Sequence, residues 1–187
     1  MKYCSQCGSA VHQQIPEGDN RPRYVCSQCD TIHYQNPRII AGCLPVYQDK
    51  VLLCKRAIEP GYGLWTLPAG FMENGETTRE GAMRETREEA CAEVELKELY
   101  TITSITPINQ VQMFYLAELA TPDFAAGEET LEAELFAEHE IPWDQLAFKT
   151  VINALKFYFE DRKQGHYPLR HVDFTGDKSR LRESAPQ

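Results

Sequence analysis

Residues 84–92 read RETREEACA and place Glu85, Glu88 and Glu89 within five positions. At about 100° per residue these three glutamates share one face of a helix. Arg84 stands one turn before Glu88 and can pair with it, which leaves Glu85 and Glu89, four apart, without a counter-charge. Like charges at that spacing cost a helix roughly a few tenths of a kcal/mol. Anions toward a helix C-terminus also oppose the macrodipole. A solvated acidic face is one reading. A divalent cation bridging the carboxylates is the other, and it reverses both penalties. Carboxylate oxygens completed by water suit Mg²⁺ or Mn²⁺.

A second constellation lies at the N-terminus. Cys4-x-x-Cys7 and Cys26-x-x-Cys29 put two thiols on each of two tight turns. Brought together they form a tetrahedral sulfur cage suited to Zn²⁺. Four thiolates close the coordination shell, so such a zinc is structural and not catalytic. A redox pair would need one Cys-x-x-Cys at a helix start, and neither pair has a helical pattern behind it. His12 and His33 lie near the knuckles, but the four thiols already suffice. Cys43, Cys54 and Cys91 sit among apolar neighbours and read as small buried hydrophobes.

The whole chain narrows the options. It has 187 residues, 42% hydrophobic and 25% charged, which fits one main core with a small appendix. It contains no apolar run long enough to span a bilayer, and MKYCSQCGSA lacks the apolar stretch expected of a signal peptide. The cytoplasm is the expected location, with reduced thiols. A net charge of −9 argues against unspecific attraction to nucleic acid or anionic membranes. The first 35 residues carry no basic stripe either. An anionic substrate would need positive charge from elsewhere, and bound metal is the usual source.

The elements that must position these groups follow from local pattern. YVCSQCDTIHY reads as strand, knuckle, strand. IIAGCLPVY and KVLLCKRAI form a hairpin turning at 48–50. GYGLWTLPAG is a loop, and FMENGETT a turn with Asn-Gly at its tip. Thr77 and Glu80 fit a capping box that opens the acidic helix. ELKELYTITSI and QVQMFYLAEL are strands, LEAELFAEHEIP holds another, and a helix with Val151, Leu155, Tyr158 and Phe159 on one side stops near Gly165. The expected domains are 1–35, a zinc ribbon, 36–165, the main domain, and 166–187, a loosely held polar tail. Mixed strands with two helices predict an α/β/α sandwich.

The wider stretch GFMENGETTREGAMRETREE, from Gly70 to Glu89, fits Gly-x5-Glu-x7-Arg-Glu-U-x-Glu-Glu and resembles the signature of the Nudix hydrolases. Thr86 replaces the usual aliphatic residue, and Cys91 and Ala92 depart from the family pattern where the helix ends. The resemblance covers about residues 37–160 and implies a Nudix-type α/β/α sandwich with a mixed sheet. It implies hydrolysis of a nucleoside diphosphate linked to another moiety. It also implies roles: Glu85 and Glu89 as principal Mg²⁺ or Mn²⁺ ligands, completed by Glu88 and the Ala69 carbonyl, with Arg84 orienting a glutamate. Glu73 and Glu76 support the site or serve as turn and cap. Gly70 and Gly75 read as turn residues. The general base should be a carboxylate near the metals. GEETLEAELF offers Glu128, Glu129, Glu132 and Glu134, of which Glu132 and Glu134 share a face. Glu129 is preferred by its resemblance to the family, followed by Glu132 and by Glu85 itself.

A ribbon joined to this box is similar to two groups within the family. The NADH pyrophosphatases carry a Pro- and Trp-rich string after the box, and ITSITPINQVQMFYLAEL occupies that region here. The enzymes acting on FAD and ADP-ribose, the plant chloroplast type above all, are more similar in YQNPRIIAGC, KVLLCKRAIEPGYGLWTLPAG and LFAEHEIPWDQLAF, and Pro107 follows the box at the spacing seen in ADP-ribose enzymes. Cleavage to AMP plus FMN or ribose 5-phosphate is therefore implied. Trp65, Phe71, Phe114 and Tyr115 are candidates to stack on adenine or flavin, each with a core role as the commoner alternative. NADH or capped RNA as substrate, a non-catalytic nucleotide sensor, and a structural zinc protein are the competing readings. A homodimer is among the assemblies the resemblance implies.

Overall fold

The computed structural model describes residues 1–176, and these group into two compact units, Met1–Pro37 and a second starting at Arg38. The first is a three-stranded antiparallel sheet of β1 (Val11–Gln14), β2 (Arg23–Cys26) and β3 (Ile32–His33). The β2–knuckle–β3 turn matches the strand pattern read from the sequence. Cys4 and Cys26 are buried, while Cys7 and Cys29 are exposed.

The second unit is a mixed sheet. Its long strands are β4 (Arg38–Tyr47), β5 (Lys50–Arg56), β8 (Val94–Ile105), β9 (Gln110–Leu119), β10 (Thr130–Phe136) and β11 (Arg170–Phe174), in the order β10-β5-β4-β9-β8-β11. Two short strands, β6 (Trp65–Thr66) and β7 (Ala69–Phe71), add to β5 and β4. β4 and β9 run parallel at the centre, whereas β4 and β5 form the expected hairpin, with Gln48 in the left-handed region at its turn.

Strand alternation assigns the two faces. Leu44, Leu53 and Phe114 point to one side and pack with Val151, Leu155, Tyr158 and Phe159 of α2 (Lys149–Gln164). Their neighbours Ala41, Cys43 and Tyr115 point to the other side and pack with Ala82 of α1 (Thr78–Ala90). The result is the α/β/α sandwich. Both helices end in the left-handed region, α1 at Cys91 and α2 at Gly165. Of the three scattered cysteines, Cys43 and Cys54 are buried and Cys91 is exposed. Cys91 takes the left-handed cap position, where its side chain leaves the apolar face that the sequence suggested for it.

The C-terminal segment differs from the polar tail expected over 166–187. Residues 170–174 form β11, parallel to β8, with Arg170 opposite Thr101. A buried anchor explains this. Asp161 of α2 is 3% exposed and accepts hydrogen bonds from Arg170 and, at 2.7 Å, from the Tyr100 hydroxyl. Burial and the Asp161 charge push the Tyr100 hydroxyl well above its usual pKa. Residues 177–187, the rest of that expected tail, lie outside the described residues. No helix among the described residues is long and apolar enough to cross a membrane.

The anchor is open to a stability test. Asp161→Ala leaves the buried Tyr100 hydroxyl without its acceptor and should cost about 2–4 kcal/mol in urea unfolding. Tyr100→Phe removes one neutral partner only and should cost about 1 kcal/mol.

Candidate active site

α1 begins as the sequence indicates. The Thr77 side chain accepts from the Glu80 N–H at 3.2 Å, and Glu80 accepts from the Thr77 N–H at 2.8 Å, a complete capping box. Gly81, Ala82, Thr86, Glu89 and Ala90 are its buried residues. Thr86, standing where the motif favours an aliphatic residue, resolves its hydroxyl on the Ala82 carbonyl at 2.8 Å.

The three glutamates of this helix have different surroundings. Glu89 is 7% exposed, and one of its oxygens accepts the Ala69 N–H at 3.1 Å. Burial is the main reason its carboxyl is pushed up to about 8, and the charges of Glu85 and Glu129 add to that. The Ala69 N–H and Arg56 act in the opposite sense. Glu85 is also raised, again chiefly by burial, with Glu88 and Glu129 contributing. Glu88 is the exposed member, its side chain 57% accessible.

Arg84 changes the expectation that Glu85 has no counter-charge. Its guanidinium donates to Glu85 at 2.7 Å and to Glu88 at 2.8 Å. It also grips Glu76 with two hydrogen bonds, at 3.0 and 2.9 Å, and reaches the Phe71 carbonyl at 3.1 Å. Adjacent side chains on a helix do not face each other. The planar fork of Arg84 is long enough to fold back onto Glu85 all the same, which simple helical spacing does not show. Glu76 also accepts the Glu73 N–H at 2.6 Å, and Arg84 together with that bond holds its carboxyl at about 2. Glu76 is thus a permanent anion bracing Arg84, while Glu73 contributes through its backbone.

Gly70 has a different role from the turn expected of it. A Cβ built there would lie 2.3 Å from the Glu85 carboxyl, so glycine is required for the carboxylate to rest against the strand backbone. Gly127 serves the same purpose on the far side. Its N–H donates to the Glu89 carbonyl at 3.0 Å, and a Cβ would fall 1.7 Å from the Glu88 carbonyl. This close seating of the loop brings Glu129 near enough to influence both Glu85 and Glu89.

Among the general-base candidates, the structure brings Glu129 to the acid cluster and leaves Glu132 away from it. Glu132 faces Lys55 across β10 and β5 and forms an ion pair with it at 2.8 Å. It shares the α2 side of the sheet with Glu134 and Phe136, the side opposite α1. The shared face of Glu132 and Glu134 was legible from alternation, but which face it is was not.

A cleft of about 240 Å³ adjoins the acid cluster at Ala69. Ile40, Ala69 and Phe71 line one part of it, and Phe148, Lys149 and Thr150 at the start of α2 another. Gln112 of β9 and Arg56 of β5 also line it. Of the aromatic candidates only Phe71 lines the cleft, 45% exposed with the Arg38 guanidinium 4.6 Å from its ring centre. Trp65, Phe114 and Tyr115 are core residues, each 5% exposed or less. Arg56, Lys149, Gln112 and Thr150 belong to no local motif; they converge only because β5, β9 and α2 do.

In the N-terminal unit the Sγ atoms of Cys4, Cys7, Cys26 and Cys29 all lie within 4.8 Å of one another. Cys4 and Cys29 are 3.7 Å apart, and Cys7 and Cys26 3.4 Å. A tetrahedral Zn–S₄ centre has sulfur edges of about 3.8 Å, so the cage fits such an ion. His33 is buried, with Nε2 3.3 Å from Cys4 Sγ, as a hydrogen-bond partner of the sulfur. His12 is hydrogen-bonded to Gln14. Among the described residues no other group of His, Cys, Asp or Glu converges as tightly; Glu85 and Glu88 are drawn toward Arg84 instead.

Residues 2–35 match the Nudix N-terminal zinc-ribbon model, and residues 36–159 match the NUDIX domain model. The chain is 31% identical over 119 residues to an ADP-ribose pyrophosphatase of Methanocaldococcus jannaschii, covering 62% of this chain and 69% of that one. It is 30% identical over 151 residues to the NAD-capped RNA hydrolase NudC of Vibrio vulnificus, covering 76% of this chain but 53% of that one. The chain thus spans about half the length of that hydrolase. A crystal structure of a NUDIX hydrolase from Nitrosomonas europaea superposes with a TM-score of 0.91 at 54% identity, over 93% of this chain and 99% of that one. A Streptococcus suis ADP-ribose pyrophosphatase shares the fold at 23% identity, with a TM-score of 0.61 over 73% of this chain and 99% of that one. With the box helix, the sandwich and the matched domain in agreement, the chain belongs to the Nudix hydrolase family.

Proposed function

We propose that this chain hydrolyses the pyrophosphate bond of FAD or ADP-ribose, giving AMP plus FMN or ribose 5-phosphate, with Mg²⁺ or Mn²⁺ held at α1. The observation that carries this reading is the burial of Glu89 near Glu85, two carboxylates raised by burial, with Glu89 bonded to Ala69, a residue that lines the cleft. Glu85 is paired with Arg84, but Glu89 is buried with only a backbone N–H to meet it, and a buried acid so placed is disfavoured unless a cation uses it. Glu85 and Glu89 would be the principal ligands, with Glu88 and the Ala69 carbonyl completing the set. A bound divalent ion would neutralise the diphosphate and acidify a water. Arg84, fixed by Glu76, holds Glu85 and Glu88 in place. Glu129, near enough to influence Glu85 and Glu89, would take the proton of the attacking water. Arg56 and Lys149 supply positive charge along the cleft. The relative named ADP-ribose pyrophosphatase supports the substrate class. The relatives named NAD-capped RNA hydrolase favour a second reading, a capped or dinucleotide substrate. The acidic charge of the chain weighs against a long RNA. The cysteine cage would hold a structural Zn²⁺, and the chain would act in the cytoplasm, alone or as a homodimer.

With FAD, ADP-ribose, NADH, NAD⁺ and NAD-capped RNA offered with Mg²⁺ or Mn²⁺, FAD or ADP-ribose should be cleaved fastest. Glu89→Gln should lower kcat/KM by roughly 100-fold or more. Fastest turnover of the capped RNA would favour the second reading, and turnover undiminished in Glu89→Gln would remove the carboxylate pair from the mechanism.

The raised carboxyl of Glu89 gives a pH signature. Its stabilising contribution is complete below the ordinary carboxylate pKa and is lost as pH rises through about 8. Metal-free protein should therefore lose melting temperature between pH 5 and 8, by less in Glu89→Gln. Mg²⁺ should raise the melting temperature at pH 8 and have little effect at pH 5, because protons compete with the ion.

Atomic absorption should find one zinc per chain. Cys26→Ser should release it and unfold the N-terminal unit, as followed by the amide signals of β1 to β3.

A further inference from the structure

Four buried side-chain polar atoms find no hydrogen-bond partner among the described residues: Thr101 Oγ1, Gln112 Oε1, Thr150 Oγ1 and Arg170 Nε. Two of them belong to residues that line the cleft beside the acid cluster, Gln112 and Thr150. Gln112 is 7% exposed and Thr150 6%. An unmet acceptor costs free energy in a buried site, so such atoms are conspicuous when their residues line one cavity. They come from different elements, β9 and the first turn of α2, and local chain geometry gives neither a reason to be there.

The rest of the cleft shows what would satisfy them. Ile40, Phe71 and Phe148 give it apolar and aromatic walls. The guanidinium groups of Arg38 and Arg56 lie 4.6 and 5.2 Å from the ring centres of Phe71 and Phe148. Walls of this kind accept a flat ring. A side-chain amide sets a donor beside an acceptor and pairs two-pronged with a ring edge that does the same. A hydroxyl supplies either. α2 also begins without a side-chain cap and has no acid in its first turn, which favours acceptor atoms at that end.

We propose that Gln112 and Thr150 are specificity-determining residues that read the edge of a planar heterocycle, one that sets a hydrogen-bond donor beside an acceptor, in the cleft next to the pyrophosphate site. This deepens the reading of the site as a nucleotide pyrophosphatase and rests on it. The heterocycle has two possible sources in the proposed substrates, a purine base or the flavin ring. Neither residue touches the reacting atoms. Their contribution is to reject compounds without a matching edge, because a ligand that enters without one leaves both polar atoms unmet.

The test is a binding titration without divalent metal, so that it does not depend on turnover. AMP, FMN and ribose 5-phosphate are titrated into wild type, Gln112→Leu and Thr150→Val, with melting temperature recorded for each unliganded variant. AMP or FMN should bind wild type at least about tenfold more tightly than ribose 5-phosphate, and Gln112→Leu should lose about tenfold or more of that preference. Thr150→Val should lose less, since a hydroxyl makes one bond where the amide makes two. Affinity for ribose 5-phosphate should be unchanged in both. Preference for AMP identifies the base as occupant, and preference for FMN the flavin; either supports the proposal. The unliganded variants should melt no lower than wild type, because replacing an unmet buried polar group by an apolar one is neutral or stabilising. Equal binding of all three compounds, retention of the preference in Gln112→Leu, or a melting temperature that falls by several degrees in that variant would each overturn the proposal. If the hydrolysis panel fails while this preference and its loss are observed, the catalytic reading falls and the recognition site stands.

Discussion

The active end of this molecule depends on one guanidinium. Arg84 holds Glu76, Glu85, Glu88 and the Phe71 carbonyl at once, all between 2.7 and 3.1 Å. Through these bonds the acidic helix, the loop before it and β7 become one rigid piece. A lysine could not replace it, because the planar fork presents five donors in fixed directions and an ammonium does not. Glu76 pays for this arrangement by remaining ionised at nearly any pH, which keeps the arginine from withdrawing toward other anions. Glu89 is left outside the network, and among the described residues its carboxylate accepts only the Ala69 N–H. The result is a helix with one well-compensated acidic side and one acid that burial makes reluctant to ionise.

Backbone proximity carries the same constraint outward. Glu85 can lie on β7 only because residue 70 has no side chain, and the loop bearing Glu129 can reach the helix end only because residue 127 has none. In both contacts a glutamate oxygen lies where a Cβ would stand, the Glu85 carboxylate at residue 70 and the Glu88 carbonyl at residue 127. Rigid surroundings of this type keep carboxylates close despite their repulsion, which flexible loops would relieve by moving apart.

The central sheet separates two tasks. Its α1 side carries the acids, and its α2 side carries the apolar core and the cleft. The short strand β7 joins them, since Ala69 donates to Glu89 and also lines the cleft. The acid cluster and the cleft thus meet at β7, which pairs with the central strand β4. β11 strengthens this arrangement from the far side, where Asp161 ties α2 to β8 and Phe174 reaches the cleft lining.

Much of this was legible in the chain itself. Spacing was enough for the cysteine cage, the capping box, the acid face of α1 and the hairpin of β4 and β5, because each depends on residues a few positions apart and on helix or strand period alone. The order of strands and helices predicted the sandwich, and the family motif implied roles for the glutamates. Tertiary structure decided the remainder. It turned Arg84 onto Glu85, made Gly70 a contact in place of a turn, put Glu132 against Lys55 on the wrong face for the acids, and drew residues 170–174 into the sheet. It also gathered Arg56, Gln112, Lys149 and Thr150 from three distant elements into one cleft. No local pattern encodes such meetings. They depend on which faces of which elements are packed together, and that is settled by burial of the core as a whole and not by any short stretch of sequence.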